Sequence, residues 1–189
     1  MDTKQKILEK ARTIFAKNGY DAFSIRTLAK EIPLAPSVLY HYFKDKDELL
    51  KAMFDYLNTD LGKKRAILTQ SKTASEMLRQ RIIFQLDNAE TIVAVLKYFI
   101  AYRKKFPKFN EGYVPDKSSL HIEEVLNFGI KTGEFYSPNI IQDAKVITHA
   151  INGFLLEYYP DTPTGKSKEQ LVQNIYLFLI RALQKGGEK

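Results

Sequence analysis

Residues Ser24 to Leu49, SIRTLAKEIPLAPSVLYHYFKDKDEL, decide the fold. Ser24 stands where a helix N-cap is expected, and Pro33 stops the helix that follows after about Glu31. Pro36 then occupies a position where the first turn of a new helix tolerates proline. Asp45 and Glu48 have the N-cap and N3 spacing of a capping box, which opens a further helix to about Leu61. The stretch reads as helix, tight turn, helix and helix start. In a helix-turn-helix the second helix has the dimensions to enter the major groove of DNA.

Outward from this stretch the apolar spacing stays helical. Ile7, Leu8, Ala11, Ile14 and Phe15 form one stripe, and Asn18-Gly19 ends their helix, with Gly19 suited to a left-handed C′ position. Beyond Gly62 the pattern predicts helices over about 63–70, 74–87, 88–105, 117–132, 139–158 and 167–185. Turn residues mark two loops, Phe106 to Lys117 and Tyr159 to Lys166. Strand alternation, internal repeats and low-complexity tracts are absent from the sequence. The expected fold is all-α: a three-helix helix-turn-helix head over 1–45 and a larger helical body over 46–189, joined by the helix over about 46–61.

The bulk composition narrows the function. The 189 residues carry 44% hydrophobic and 27% charged side chains, an ordinary globular balance. With no Cys, disulfides, thiolate metal sites and a Cys nucleophile are excluded. Net charge is +7, a basic balance that favours polyanion partners. Residues 1–50, however, hold nine Lys/Arg against seven acids, so the placement of side chains must identify a DNA-binding end. The N-terminal MDTKQKILEK lacks the apolar core of a signal peptide, and no apolar run approaches the roughly 18 residues of a membrane span. A soluble, cytoplasmic protein without membrane contact is expected. His121 and Glu124 share a helix face, but no third metal ligand is evident. Neither a phosphate-binding glycine loop nor a nucleophile–base pair appears, so the expectation is a non-enzyme with no cofactor and no metal.

Within the head, Leu39 and Phe43 share a face at i, i+4. Tyr40, His41 and Tyr42 include positions off that face, where polar tips can reach phosphates; the competing reading is that these aromatics are core. Ser37 and Val38 are small enough to let the helix start approach base edges. Lys46 opposes the macrodipole of the helix it begins, a conflict that a neighbouring phosphate would relieve. Flanking acids offer a blander compensation.

Ser24-Ile25-Arg26-Thr27-Leu28-Ala29 and Leu39-Tyr40-His41-Tyr42-Phe43-Lys44-Asp45-Lys46-Asp47-Glu48-Leu49, with Ala11, Phe15, Gly19 and Tyr20 before them, resemble the N-terminal domain of TetR/AcrR-type transcriptional regulators. The resemblance is dense over roughly the first 60 residues. It is weaker in the body, where Asn127 to Phe135 resembles a recurrent helix end and Gly153 lies in a typical dimer-helix context. The resemblance implies that Arg26 and Thr27 sit at the groove edge, that Ser37, Val38 and Tyr40 face bases or adjoining backbone, and that His41, Tyr42 and Lys46 grip phosphates. Pro33 and Ala35 stand where such proteins usually carry glycine and a Ser/Thr cap. A rigid turn of different shape is therefore expected between Pro33 and Pro36.

The same resemblance implies a body that binds an effector and dimerises. Phe84, Tyr98, Phe99, Tyr102, Phe106, Asn127 and Phe128 are the candidate lining of a mainly apolar pocket, with plain core as the alternative. Apolar residues at roughly heptad spacing, Ile147, Ile151, Phe154, Leu155 and Tyr158, then Leu171, Ile175, Phe178, Leu179 and Ala182, suggest a four-helix seam across a two-fold axis. An intramolecular core competes with that reading too. The expected protein is a homodimeric, sequence-specific regulator of double-stranded DNA with a palindromic operator, a repressor released by a small apolar or amphipathic effector. The alternative is a regulator of the same type without a small-molecule effector, controlled by a protein partner or acting as an activator.

Overall fold

The computed structural model describes residues 2–66, 72–105 and 117–184. Among these residues the regular elements are all helical: α1 (Thr3–Ala22), α2 (Ile25–Glu31), α3 (Pro36–Tyr42), α4 (Lys46–Ala66), α5 (Ala74–Asp87), α6 (Ala89–Lys105), α7 (Lys117–Lys131), α8 (Ile140–Tyr158) and α9 (Gly165–Leu183). Phe106 and the loop expected after it lie outside the described residues.

Local chemistry sets the early boundaries. Asp2 and Gln5 close a capping box on α1, and Gly19, at φ 72°, breaks its regular geometry before one last turn to Ala22. Ser24 caps α2, with Ser24 Oγ accepting from the Thr27 amide and Thr27 Oγ1 accepting from the Ser24 amide. Asp45 accepts from the Glu48 amide at the start of α4, while the Glu48 carboxylate reaches back to the amide of Lys44. One boundary differs from the sequence expectation. α4 does not stop near Leu61 but continues through Gly62 to Ala66. Glycine costs an exposed helix only about 1 kcal/mol, and the burial of Leu50, Met53, Leu57 and Leu61 along one face outweighs it.

The chain forms two compact units that do not follow chain order. The first comprises Met1–Lys64 and Glu90–Glu111; the second comprises Arg65–Ala89 and Gly112–Lys189. The division expected at residue 45 is one of role; by packing, most of α4 and all of α6 beyond its first residue, Ala89, belong with the head. The first unit's core joins Ile7, Ala11 and Phe15 of α1, Leu28 of α2, Leu39 of α3, Leu50 and Leu57 of α4, and Val93 and Tyr98 of α6, all fully buried. Arg12 Nε and Thr13 Oγ1 both donate to Glu90 at the start of α6, at 2.9 and 2.8 Å.

In the second unit, Glu134 follows α7 and accepts from the amides of Ala74 and Ser75 at the start of α5. Burial pushes its carboxyl up, but these amides, with the hydroxyls of Ser75 and Thr132, together hold it below the usual carboxylate range. Tyr136, just beyond, donates its amide to the carbonyl of Leu183 at the end of α9 (2.7 Å), and Lys168 near the start of α9 pairs with Asp87 at the end of α5. α5 and α8 therefore start at one end of the unit and run the same way, with α7 and α9 running against them.

Gly129 on α7 is fixed by that packing. An added Cβ would lie 2.3 Å from Cδ2 of the buried Phe135 ring and 2.9 Å from Cβ of Ala74. Neither neighbour is a flexible side-chain tip. Gly129→Ala should destabilise the protein by about 1–3 kcal/mol, read as a lower urea midpoint at unchanged slope. A midpoint equal to wild type would show that the Phe135 ring moves freely.

Candidate nucleic-acid interface

α2 and α3 meet through a turn built without left-handed residues. No non-glycine residue of the described chain has positive φ, and Ala35 is extended (φ −64°, ψ 144°) with no side-chain cap bond. The turn closes on its own backbone: Leu34 donates to the Ile32 carbonyl at 2.8 Å, and Val38 to that of Ala35 at 2.9 Å. Pro36 supplies the first helical residue of α3 at its preset φ. This is the proline-bounded turn expected from Pro33 and Pro36.

Of the seven residues of α3, Leu39 alone is buried, and Phe43 buries itself one turn on. That inner row leaves Ser37, Tyr40 and His41 on the outer face, all exposed. Tyr40 keeps 51% of its surface accessible, which rules out the core reading for this side chain. Val38 and Tyr42 are half-buried, with the Tyr42 ring edge-on to His41 at 5.5 Å. Arg26 and Thr27 are exposed on α2, the Thr27 hydroxyl held in the Ser24 cap.

Lys46 is half-buried rather than free on the surface. Its ammonium lies 4.0 Å from the centroid of the Tyr20 ring and donates to the Tyr20 carbonyl. Beside it, Asp47 Oδ1 accepts from the hydroxyls of Tyr20 (2.7 Å) and Tyr102 (2.9 Å). Burial, then the bond to Asp47, pushes the Tyr102 hydroxyl well above the usual tyrosine range, so it stays a donor. The Tyr102 ring stacks on Tyr98 at 4.1 Å, and Tyr98 stacks on Phe54 at 4.4 Å.

The candidate pocket residues are divided between the units. Tyr98, Phe99 and Tyr102 belong to the first, and Phe84, Asn127 and Phe128 to the second. Tyr98 is enclosed by its stacked neighbours, whereas Asn127 is exposed and donates to the Glu123 carbonyl of its own helix. The seam candidates divide by face. Ile147, Ile151, Leu155, Ile175 and Leu179 fill the second unit's own core, and Leu171 is half-buried. Phe154, Tyr158, Phe178 and Ala182 lie outside, Phe178 being 71% exposed.

Around His121 the sequence reading missed a set of buried polar side chains between α5, α7 and α8: Arg81, Gln85, Thr148 and Asn152. Gln85 Nε2 donates to Asn152 Oδ1 at 2.8 Å. A signal was present, because Arg81 and Gln85 fall in register with Met77, Leu78 and Ile82 on the face of α5 that the core claims.

Residues 7–53 match the family model of bacterial regulatory proteins of the tetR family. Over 51 residues the chain is 37% identical to the HTH-type transcriptional regulator UidR of Escherichia coli K12, covering 27% of this chain and 26% of that one. Over 59 residues it is 36% identical to IcaR of Staphylococcus aureus Newman, a negative transcriptional regulator of the biofilm operon icaADBC, covering 29% and 32%. The chain thus spans about a quarter to a third of the length of these curated relatives. In fold it is similar nearly throughout to a Saccharomonospora viridis protein described as a transcriptional regulator and solved in complex with choline: TM-score 0.76, 20% identity, 95% of this chain and 96% of that one. Over residues 7–53, which hold α2 and α3, the chain carries a helix-turn-helix segment of the tetR type.

Proposed function

We propose that the protein is a homodimeric, sequence-specific repressor whose operator affinity falls when a small, mainly apolar effector binds its body. The outer face of α3 carries this reading: Ser37, Tyr40 and His41 are exposed on a helix whose inner row is fully committed to the core. Ser37, Val38 and Tyr40 read bases or the adjoining backbone, Arg26 and Thr27 lie at the groove edge, and His41, Tyr42 and Lys46 hold phosphates. Lys46 does so from the Tyr20 ring that positions it.

Two further observations support the finer parts. IcaR is a negative regulator, in line with repression, and the Saccharomonospora viridis neighbour holds a small molecule, in line with an effector. Phe154 and Tyr158 on α8 and Phe178 on α9 are outward aromatic side chains that a second copy would cover. Two heads then meet a palindrome, and the effector acts by binding one of two dimer states more tightly. Chromosomal DNA as the partner implies the cytoplasm; among the described residues no helix is long and apolar enough to cross a membrane.

Fragments selected from genomic DNA and measured by fluorescence anisotropy test the reading. Binding should favour a palindromic fragment by at least roughly a thousandfold over random DNA, with two subunits per site and affinity falling steeply with salt. Equal affinity for all fragments would remove sequence recognition. Stoichiometric binding by single subunits would remove the dimer.

A further inference from the structure

Three buried side-chain atoms among the described residues have no hydrogen-bond partner: Arg81 Nη1, His121 Nε2 and Thr148 Oγ1. They occupy one level of the second unit. α5 and α8 run the same way and are pinned in register by the Gln85–Asn152 bond, so one turn earlier Arg81 stands across from Thr148. α7 runs against α5 from the contact of Gly129 with Ala74, which brings His121 to the level of Arg81. Burial, and then the charge of Arg81, disfavour the imidazolium of His121 and hold its pKa below the ordinary range.

Arg81 is 2% exposed, and no carboxylate among the described residues pairs with it. Its contact is the Phe84 ring, 5.4 Å from the guanidinium carbon. Burial, with Arg65 nearby, pushes its pKa down to about 9, so the group remains charged at neutral pH at a standing cost. Thr148 forgoes even the bond to the preceding turn of its own helix that a buried helical threonine usually makes. His121 turns Nδ1 to Glu124 at 3.4 Å, leaving Nε2 facing inward. A lone cation, a free hydroxyl and an imidazole edge amid Leu78, Ile82 and Phe84 are what a desolvated oxyanion on an apolar tail requires.

We propose that Arg81 and Thr148 form the donor end of an effector site in the second unit, which takes an amphiphile through its carboxylate or phosphate group. His121 is the polar wall beside it. This rests on the effector reading above and narrows its ligand from mainly apolar to anionic-headed.

Calorimetry and thermal denaturation on the full-length protein test it with decanoate, decyl phosphate, decanol and decyltrimethylammonium as probes. Wild type should bind one or both oxyanions at least about tenfold tighter than decanol and the cation, and the tighter of the two identifies the headgroup. Arg81→Met should erase that preference while melting at the same temperature as unliganded wild type or higher, because it removes an unpaired buried charge. Thr148→Val should weaken oxyanion binding several-fold and leave decanol unaffected. Decanol binding as tight as decanoate, no binding of any probe, or an unchanged preference in Arg81→Met overturns the proposal. So does an Arg81→Met protein that melts far below wild type, which would make Arg81 a structural residue. Arg81-dependent oxyanion binding that leaves operator affinity unmoved keeps this site and removes the effector role. Release from the operator by an uncharged ligand, equal in Arg81→Met, keeps the effector role and removes this site.

Discussion

Tyr40→Ala is expected to reduce operator affinity by roughly thirtyfold to ten-thousandfold, because a base-edge contact is worth about 1–3 kcal/mol and a dimer loses it twice. Its melting temperature should hardly change. The side chain is 51% exposed and makes no ring contact or hydrogen bond among the described residues, so truncation opens no cavity. Anisotropy with the selected palindrome and with random DNA separates two roles. A base reader loses specific binding far more than non-specific binding; a phosphate contact loses both alike. A large loss of stability, or unaltered affinity, would take Tyr40 out of the reading face.

Phe178→Glu should convert the protein to monomers at micromolar concentration and abolish operator binding at the same concentrations. A phenylalanine that is 71% exposed, with Leu177 beside it and Phe154 and Tyr158 of α8 also exposed, has no role in its own subunit's core. At a two-fold seam each change occurs twice, and aromatic anchors contribute about 2–4 kcal/mol each, so the dimer constant should weaken at least about a thousandfold. Circular dichroism should remain that of a folded helical protein. Sedimentation that still shows a dimer at wild-type concentrations would place the seam elsewhere.

The head was legible in the sequence because its signals are local. Ser24, Pro33, Pro36 and the Asp45–Glu48 pair each act within a few residues, and the helix limits they imply are close to those observed for α2, α3 and the start of α4. Gly62 misled for the same reason: a local cost was set against burial that only the packed face of α4 reveals. The body was less legible. Heptad spacing marks Ile151 and Phe154 alike as apolar helix positions, yet one is buried in its own subunit and the other faces outward. Arg81 differs from its near neighbour Arg79 only in phase, and phase leaves Arg79 half-buried while making Arg81 a fully buried charge. The division of the pocket candidates between two units depends on α6 packing out of chain order, which no motif announces.

Asp47 joins three stretches of chain that stand far apart in sequence, through the hydroxyls of Tyr20 and Tyr102 and its own place beside Lys46. A chimera that grafts this head onto another protein's body near residue 45 would carry Tyr20 and leave both Asp47 and Tyr102 behind. A graft ending after α4 would keep the carboxylate but lose the stacked tyrosines of α6 that cover Phe54. What is transferable between proteins here is a discontinuous module, α1 to α4 together with α6. Exchanging DNA specificity by swapping short N-terminal segments would also exchange the fit of a helix encoded some forty residues downstream of α4's midpoint.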